Sequence, residues 1–260
     1  MEITSAQNPK IKHLLALQQK SQQRRREGLF VVEGRRELEH CLAAGYEVES
    51  VFVSEELFDE LPSSLFSLPS SLFTLQPSLY ERVAYRGSTE GVIAVVKERH
   101  RSLSDLQLSP SPLVVVLERV EKPGNLGAVL RSADAAGADA VIVCDPLTDL
   151  YNPNLIRASI GAIFTVPTVA CSSEECIAFL RQHDIQILTA QLQDSSLYYA
   201  TDMRRPTALV MGTEATGLTQ QWREAATAHI RIPMLGRLDS LNVSVSAAIL
   251  LFEAVRQRTG

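Results

Sequence analysis

The sequence contains no long apolar segment. Among its 260 residues, the longest apolar candidate, residues 243–255, is interrupted by Ser244, Ser246 and Glu253. A membrane-spanning helix needs a run of roughly 20 predominantly apolar residues. The first twelve residues are polar and lack the apolar core of a secretory signal peptide. We therefore expect a cytoplasmic protein with no membrane partner.

Cysteines are few, and their spacing is not that of a metal site. The chain has four of them: Cys41, Cys144, Cys171 and Cys176. No two form a Cys-x-x-Cys pair, and the nearby histidines do not complete a zinc-binding spacing. The spacing predicts no metal site and favours buried, reduced thiols in a cytosolic protein.

The sequence has no overall excess of positive charge, but its basic residues are unevenly distributed. The formal net charge is −5, which argues weakly against a nucleic-acid partner. The first 26 residues nevertheless contain a single acid, Glu2, and these basic residues: Lys10, Lys12, Lys20, Arg24, Arg25 and Arg26. Such a cluster can bind phosphates, or it can be the solvated face of a helix. Both interpretations stay open on charge alone.

Residues 1–100 mix helices and strands. Asn8 and Pro9 predict the cap and the first residue of a helix that runs to the arginine cluster. Residues 61–73 predict a loop-rich connection, because proline and serine interrupt any helix there. The polar segment 101–112 carries two prolines and predicts a linker. The remaining predictions are strands at 29–32, 51–53 and 92–96 and a helix at 35–44.

Residues 113–260 alternate strands with helices. Residues 113–117 form a continuous apolar run, which is typical of a strand buried on both faces. The other predicted elements are strands at 140–143, 164–169, 185–188, 208–211 and 230–232 and helices at 126–136 and 243–258. This alternation predicts a parallel α/β sheet. Its ligand site should lie at the carboxyl ends of the strands.

The first of three notable clusters follows the buried strand directly. Gly124 and Gly127 would let the backbone approach a ligand closely, and a helix N-terminus at this place would suit an anion. Asn125 and Arg131 bracket the first turns of that helix. The cluster has neither the Gly-x-Gly-x-x-Gly spacing of a dinucleotide site nor a Walker lysine. A plain turn with a surface arginine would explain it as well.

The other two clusters also follow predicted strands. One strand runs into Gly212, and Glu214 follows two residues later, where it could pair with a base or act as a helix N-terminal acid. Ser240 and Asn242 stand at the entry to the apolar C-terminal helix, where either residue could be an N-cap.

In combination and in this order, the clusters resemble three motifs of the SpoU/TrmH family of RNA ribose 2′-O-methyltransferases, part of the SPOUT superfamily. The matching residues are Asn125, Gly127 and Arg131 for Asn-x-Gly-x-x-x-Arg; Gly212, Glu214 and Gly217 for Gly-x-Glu-x-x-Gly; and Ile232, Pro233, Ser240, Leu241, Asn242, Val243 and Ser244 for Ile-Pro followed by Ser-Leu-Asn-Val-Ser. The resemblance covers about residues 111–258. The stretches NPKIK, GLFVVEG and GVIAVV within residues 1–100 resemble a substrate-binding domain often fused ahead of such enzymes.

The resemblance implies more than periodicity predicts. It implies an α/β protein with a C-terminal parallel-sheet SPOUT domain at 113–260 that carries a trefoil knot, preceded by a smaller α/β RNA-binding domain at 1–100. It implies S-adenosylmethionine as the cofactor, held by Thr189, Gly212, Ile232, Met234 and Leu241. It also implies a homodimer formed through the C-terminal domain.

The resemblance further implies roles in catalysis. Asn125 would orient the target nucleotide, Arg131 would act on the ribose hydroxyl or the adjoining phosphate, and Glu214, Ser240 and Asn242 would complete the site. We expect Arg131 to be a phosphate clamp, since a guanidinium stays protonated. No metal is required. The candidate RNA-binding residues are Lys10, Lys12, Arg24, Arg25 and Arg26.

Three other functions remain alternatives to methylation of large-subunit ribosomal RNA. A transfer-RNA 2′-O-methyltransferase would share the catalytic motifs. A non-catalytic RNA-binding or ribosome-assembly protein could share the fold, although the full set of motif residues argues against it. A nucleotide-dependent dehydrogenase is disfavoured by the missing glycine fingerprint.

Overall fold

The computed structural model describes residues 1–54, 56, 71–85, 90–213, 216–237 and 240–260. Tertiary contacts divide the chain into two compact units. Unit 1 consists of Met1–His100 and Asp149–Gly161, and unit 2 consists of Arg101–Thr148 and Ala162–Gly260. Within the described ranges, no helix is both long enough and apolar enough to cross a bilayer.

The elements alternate along most of the chain. The helices are α1 (Pro9–Gln19), α2 (Ser21–Glu27), α3 (Arg35–Ala43), α4 (Pro77–Val83), α5 (Pro123–Ala135), α6 (Pro153–Ser159), α7 (Ala162–Thr165), α8 (Ser173–Gln182), α9 (Gln220–Ala225) and α10 (Val243–Thr259). The strands are β1 (Glu2–Ile3), β2 (Leu29–Glu33), β3 (Val48–Ser54), β4 (Ser71–Leu75), β5 (Val92–Lys97), β6 (Leu113–Glu118), β7 (Ala140–Cys144), β8 (Thr168–Cys171), β9 (Gln186–Ala190), β10 (Ser196–Leu197), β11 (Thr207–Met211) and β12 (Ala228–Arg231).

Unit 1 is built on a five-stranded mixed sheet in the order β1-β4-β3-β5-β2. The strands β1, β4 and β3 run parallel to one another, and β5 is antiparallel to both β3 and β2. Apolar side chains of α1, such as Ile11 and Leu14, are buried in its core. Of the predicted connection at 61–73, residues 61–70 lie outside the described residues. Residues 71–73 belong to β4, which corrects that part of the prediction.

The N-terminal helix begins where the sequence predicts. Asn8 Oδ1 accepts a hydrogen bond from the Lys10 backbone N at 2.9 Å, and Pro9 is the first helical residue. The helix does not continue to the arginine cluster, because Lys20 adopts an extended conformation and separates α1 from α2. The predicted single helix is therefore two helices.

Arg24 is buried, which corrects its assignment as an RNA-binding residue. Its side chain is 2% exposed, and its Nε donates to Asp149 Oδ2 at 2.7 Å. Its guanidinium also donates to the backbone carbonyls of Leu17 and Gln18. These partners offset the cost of burying the charge. Arg24 and Asp149 therefore form a structural ion pair within unit 1.

Residues 149–161 fold with unit 1, although they lie far along the chain. The ring of Tyr151 stacks on Phe30 at 4.4 Å between centroids, and its hydroxyl donates to the carbonyl of Arg99 at 2.7 Å. The helix α6 packs against β2. The domain boundaries expected from the sequence are continuous and assign these residues to the C-terminal part, because sequence patterns do not reveal such long-range packing.

Unit 2 is built on a seven-stranded parallel sheet in the order β10-β12-β9-β11-β6-β7-β8. All residues of β6 are buried, as its continuous apolar run predicts. The helices α8 and α9 contribute to a core with alternate residues of the central strands, and α5 packs against α10. In the predicted linker, Leu103, Leu106 and Leu108 pack against this core, so residues 101–112 are an integral part of unit 2.

The predicted strand at 164–169 is wrong in its position. The structure has a helical turn, α7, followed by β8, which begins only at Thr168. Phe164 and Val166 are buried, so a short apolar run alone could not distinguish strand from helix. Pro167 separates the two elements.

The trefoil knot that the resemblance implies for the C-terminal domain stays a prediction.

Candidate active site

The main cleft of unit 2 lies at the carboxyl ends of three neighbouring strands, β12, β9 and β11. Its volume is about 350 Å³, which lies within the range of small-molecule sites. The residues that line it are Ala190, Gln191, Leu192, Gln193, Met211, Gly212, Thr213, Thr216, Gly217, Leu218, Arg223, Ile230, Arg231, Ile232, Met234, Ser240, Leu241, Val243, Ser246 and Leu250. This is the edge of the sheet at which the sequence predicts a ligand.

Four of the five predicted cofactor-binding residues line this cleft: Gly212, Ile232, Met234 and Leu241. The side chain of the fifth, Thr189, is buried, and its Oγ1 lies 2.6 Å from His229 Nδ1 in a hydrogen bond. The next residue, Ala190, lines the cleft. The backbone at Thr189 and Ala190 is thus near the cleft, and a cofactor contact there stays a prediction.

A tight turn explains the glycines that follow β11. A Cβ at Gly212 would lie only 2.6 Å from the backbone N of Leu218 and would also overlap the backbone of Gly217. Gly217 itself has φ +65°, and its N donates to the Thr213 carbonyl at 3.0 Å. Close backbone packing therefore demands glycine at 212, and backbone conformation favours it at 217. Glu214 lies outside the described residues.

A second cavity of about 120 Å³ adjoins the cleft. The two share Gly212, Thr213 and Val243 in their walls, and Asn125 lines the second cavity. Glu118 also lines the second cavity and is 2% exposed, although no motif in the sequence indicated it. Its carboxylate accepts hydrogen bonds from Thr219 N at 2.8 Å and Thr219 Oγ1 at 2.6 Å.

The two predicted catalytic asparagines, Asn125 and Asn242, are hydrogen-bonded to each other. Asn242 caps α10, because its Oδ1 accepts from Ser244 N at 2.9 Å and from Ser244 Oγ at 2.6 Å. Its Nδ2 is then directed to Asn125 Oδ1, at 3.1 Å. The N-cap interpretation of Asn242 is thus confirmed, and the same cap orients the amide toward Asn125.

The other described catalytic candidates are placed differently. Ser240 is exposed and lines the main cleft. Arg131 is exposed on α5 and lines neither cavity, and its side chain has no hydrogen bond or ion pair with a described residue. It follows Asn125 by six positions, which corresponds to about 9 Å along the helix and about 120° around it. The two side chains therefore leave α5 in different directions.

Polar atoms in the wall of the main cleft fit the chemistry of S-adenosylmethionine. Gln191 Oε1 and Arg223 Nε are buried and lack hydrogen-bond partners among the described residues. Buried polar atoms are normally paired, so a ligand with a donor and an acceptor would satisfy them. The ammonium and carboxylate of S-adenosylmethionine are such groups. Apolar residues, including Leu241 and Ile230, provide contact area for the rest of the molecule.

The basic residues of α1 and α2 are exposed except for Arg24. Lys10 Nζ lies 4.6 Å from the ring centroid of Phe73. Arg26 donates to Glu27 at 3.1 Å, whereas Lys12 and Arg25 have no ion pair with a described residue. Lys12 and Arg25 are therefore the candidates whose charges are available to a phosphate.

The structure brings together three cysteines whose spacing in the sequence does not indicate a metal site. The sulfur atoms of Cys144, Cys171 and Cys176 all lie within 4.8 Å of one another. The register of two adjacent strands causes this proximity, because Cys144 of β7 pairs with Cys171 of β8. Rules based on local spacing cannot detect such a group.

Segments of both units match known protein families. Residues 112–252 match the SpoU rRNA methylase family, and residues 8–94 match the MRM3-like substrate-binding domain. A 23S rRNA (guanosine-2′-O-)-methyltransferase, RlmB, of Bordetella pertussis is 38% identical over 66% of this chain and 72% of its own.

Two solved structures are similar over nearly the whole chain. The crystal structure of an RNA 2′-O ribose methyltransferase has a TM-score of 0.87 and 41% identity, with all of both chains covered. The AdoMet-bound rRNA methyltransferase from Sinorhizobium meliloti has a TM-score of 0.90 and 29% identity, with 98% of this chain and 97% of the other covered. The resemblance seen in the three motifs is confirmed, and the chain belongs to the SpoU rRNA methylase family.

Proposed function

We propose that this protein transfers the methyl group of S-adenosylmethionine to a ribose 2′-hydroxyl of large-subunit ribosomal RNA. The observation that carries the proposal is the shared wall between the two cavities of unit 2. One cavity is lined by the cofactor residues Gly212 and Leu241, and the other by Asn125, which is hydrogen-bonded to Asn242. The cytoplasm, where ribosomal RNA is found, is the expected location.

The residues around this shared wall position the reacting groups. S-adenosylmethionine, when bound, supplies a methyl group already activated by its sulfonium. Transfer then requires a ribose oxygen in line with that methyl group, and positioning can lower the barrier by several kcal/mol. Asn125, which lines the second cavity, accepts a hydrogen bond from Asn242, and the two side chains orient the target nucleotide. Arg131 binds the phosphate and stabilises the charge that develops on the ribose oxygen.

The activity is tested by methyl transfer from labelled S-adenosylmethionine to RNA from cells that lack the protein. Ribosomal RNA should accept label. One phosphodiester bond of the labelled RNA should then resist alkaline hydrolysis, because a 2′-O-methyl group blocks cleavage of the adjoining bond. Transfer to tRNA alone would show that the substrate is tRNA and not ribosomal RNA. Cofactor binding without transfer to either RNA would contradict the proposal and favour an RNA-binding assembly protein.

Arg223 should hold the carboxylate of the cofactor. Its Nε is buried without a hydrogen-bond partner in the described structure, and Arg223 is one of the residues that line the cleft. Loss of a charge-assisted hydrogen bond should weaken S-adenosylhomocysteine binding about tenfold or more in Arg223→Gln, measured by calorimetry. Binding of 5′-methylthioadenosine, which lacks the amino-acid group, should be unchanged. Equal weakening of both ligands would indicate a disturbed cleft and no carboxylate contact.

Unit 1 should capture RNA through the exposed charges of α1 and α2. Deletion of residues 1–100 is a poor test, because residues 149–161 belong to the same unit. The double variant Lys12→Ala/Arg25→Ala should instead bind RNA more weakly, with a shallower salt dependence by about one unit of slope for each lost phosphate contact.

A matched control for this variant is Arg35→Ala/Arg36→Ala, which removes the same charge from exposed positions of α3. Filter binding over a range of salt concentrations compares the two variants. If the α3 variant loses as much affinity as the other, net charge explains the effect, and the phosphate contacts assigned to α1 and α2 are wrong.

The protein should form a homodimer through unit 2. Val245 and Phe252 lie seven positions apart on α10, hence on one face, and they are 46% and 48% exposed. Contact with a second copy of the chain would remove these apolar side chains from water, which favours association. Sedimentation velocity should show a dimer for the wild type and a monomer for Val245→Asp/Phe252→Asp. Leu147→Asp, at another exposed apolar position, should remain dimeric; a dimer that survives the α10 variant places the interface elsewhere.

A further inference from the structure

Three cysteines from three different elements converge in unit 2, outside the residues used for methyl transfer. Cys144 ends β7, Cys171 ends β8, and Cys176 is the fourth residue of α8. Their three sulfur atoms lie within 4.8 Å of one another. None of the three residues lines the cofactor cleft or the adjoining cavity.

The spacing is close to that of a metal-binding thiolate group. A zinc ion lies about 2.3 Å from each coordinating sulfur, so the sulfur atoms around it are about 4 Å apart. Small side-chain rotations would bring these three sulfur atoms to that distance. Thiolates are the ligands that select soft ions such as Zn²⁺ and Cu⁺ over Mg²⁺ and Ca²⁺.

The surroundings allow an ion to enter, and Cys171 lies beside a helix N-terminus. Cys144 and Cys176 are buried, whereas Cys171 is half-buried and gives the group one side facing solvent. The helix α8 starts immediately beyond Cys171, with Ser172 as its N-cap. The positive end of a helix dipole stabilises nearby thiolates. Cys144 and Cys176 belong to the core of unit 2 as small apolar side chains, and half-buried Cys171 completes the group beside a helix N-terminus.

We propose that Cys144, Cys171 and Cys176 form a binding site for one thiophilic metal ion, Zn²⁺ or Cu⁺. Cu⁺ is satisfied by three sulfur ligands, whereas Zn²⁺ takes water as a fourth ligand from the side of Cys171. Binding releases the thiol protons to solvent and leaves the oxidation state of sulfur and metal unchanged. The ion ties the ends of β7 and β8 to α8, so its function is to stabilise unit 2.

The test uses the full-length protein, reduced and freed of metal with a chelator. Titration with Zn²⁺, and separately with Cu⁺ under anaerobic conditions, should show one ion bound per chain in competition with a chelator of known affinity. The melting temperature should rise on binding, because the ion binds the folded state. Loss of one thiolate in Cys171→Ser should weaken binding about 100-fold or more, since even outer-shell changes cost up to that amount.

Cys41→Ala is the matched control. Cys41 lies in unit 1 and does not belong to the group of three sulfur atoms, so it should not contribute to ion binding. This variant should bind one ion with wild-type affinity. Absence of stoichiometric binding of both ions, or unchanged affinity in Cys171→Ser, would overturn the site. If Cys171→Ser does not fold, Cys144→Ala gives the same test, with circular dichroism to verify folding.

Discussion

Arg131→Ala should lose methyl transfer by about 100- to 1000-fold, as expected when one preorganised charged donor is removed from a reacting centre. Its affinity for S-adenosylhomocysteine should stay close to that of the wild type, because Arg131 does not line the cofactor cleft. The side chain of Arg131 is exposed and has no hydrogen bond or ion pair with a described residue, so the substitution should leave stability nearly unchanged. Single-turnover methyl transfer and calorimetry provide the two measurements.

Arg131→Lys separates two physical roles of this residue. Lysine keeps the positive charge but lacks the planar fork that binds phosphate through two hydrogen bonds. A bidentate phosphate clamp would therefore fail in both variants, whereas a point-charge role would be partly restored by lysine. Arg181→Ala is the control, since Arg181 is an exposed arginine in the last turn of α8 and lines neither cavity.

Two outcomes would contradict the role of Arg131. Methyl transfer at the wild-type rate in Arg131→Ala would exclude any catalytic contact. Loss of cofactor binding with the fold intact would indicate that the residue contacts the cofactor and not the nucleotide.

Because Arg131 lies outside both cavities of one chain, we also expect its contribution to depend on the proposed dimer. The Val245→Asp/Phe252→Asp variant should then lose activity together with dimerisation.

Gly212→Ala should abolish most cofactor binding. The added Cβ would overlap the backbone of Gly217 and lie 2.6 Å from Leu218 N, and backbone atoms cannot rotate away as a flexible side chain can. The turn must shift to relieve the overlap, and its residues Gly217 and Leu218 line the cleft. Restoring the binding conformation costs about 1–3 kcal/mol, which corresponds to about 5- to 150-fold in affinity for S-adenosylhomocysteine.

Gly236→Ala is a matched control for this substitution. Gly236 is exposed, does not line the cleft, and has no heavy atom of a described residue within 4 Å of the position of an added Cβ. Its affinity and melting temperature should equal those of the wild type. An affinity within twofold of the wild type in Gly212→Ala, with an unchanged melting temperature, would show that the turn is not part of the cofactor site.

The central strands of unit 2 could be predicted because their signal is local. The continuous apolar run at 113–117 and the strand at 208–211 agree with β6 and β11 to within one residue. Edge elements carry a weaker signal. β10 has only two residues and pairs on one side, and nothing in its sequence indicated a strand. The shifted strand β8 lies at the opposite edge, where neighbouring structure decides between helix and strand.

The sequence by itself determined the motif residues, the parallel α/β class and the start of the last helix. Each depends on patterns within a few positions, such as the apolar period and the cap at Asn242. Only the tertiary structure decided which distant residues meet. It placed Asn125 beside Asn242, buried Arg24 against Asp149, and brought Cys144 to Cys171. The reason is that these contacts depend on strand register and on packing between elements, neither of which leaves a local pattern in the chain.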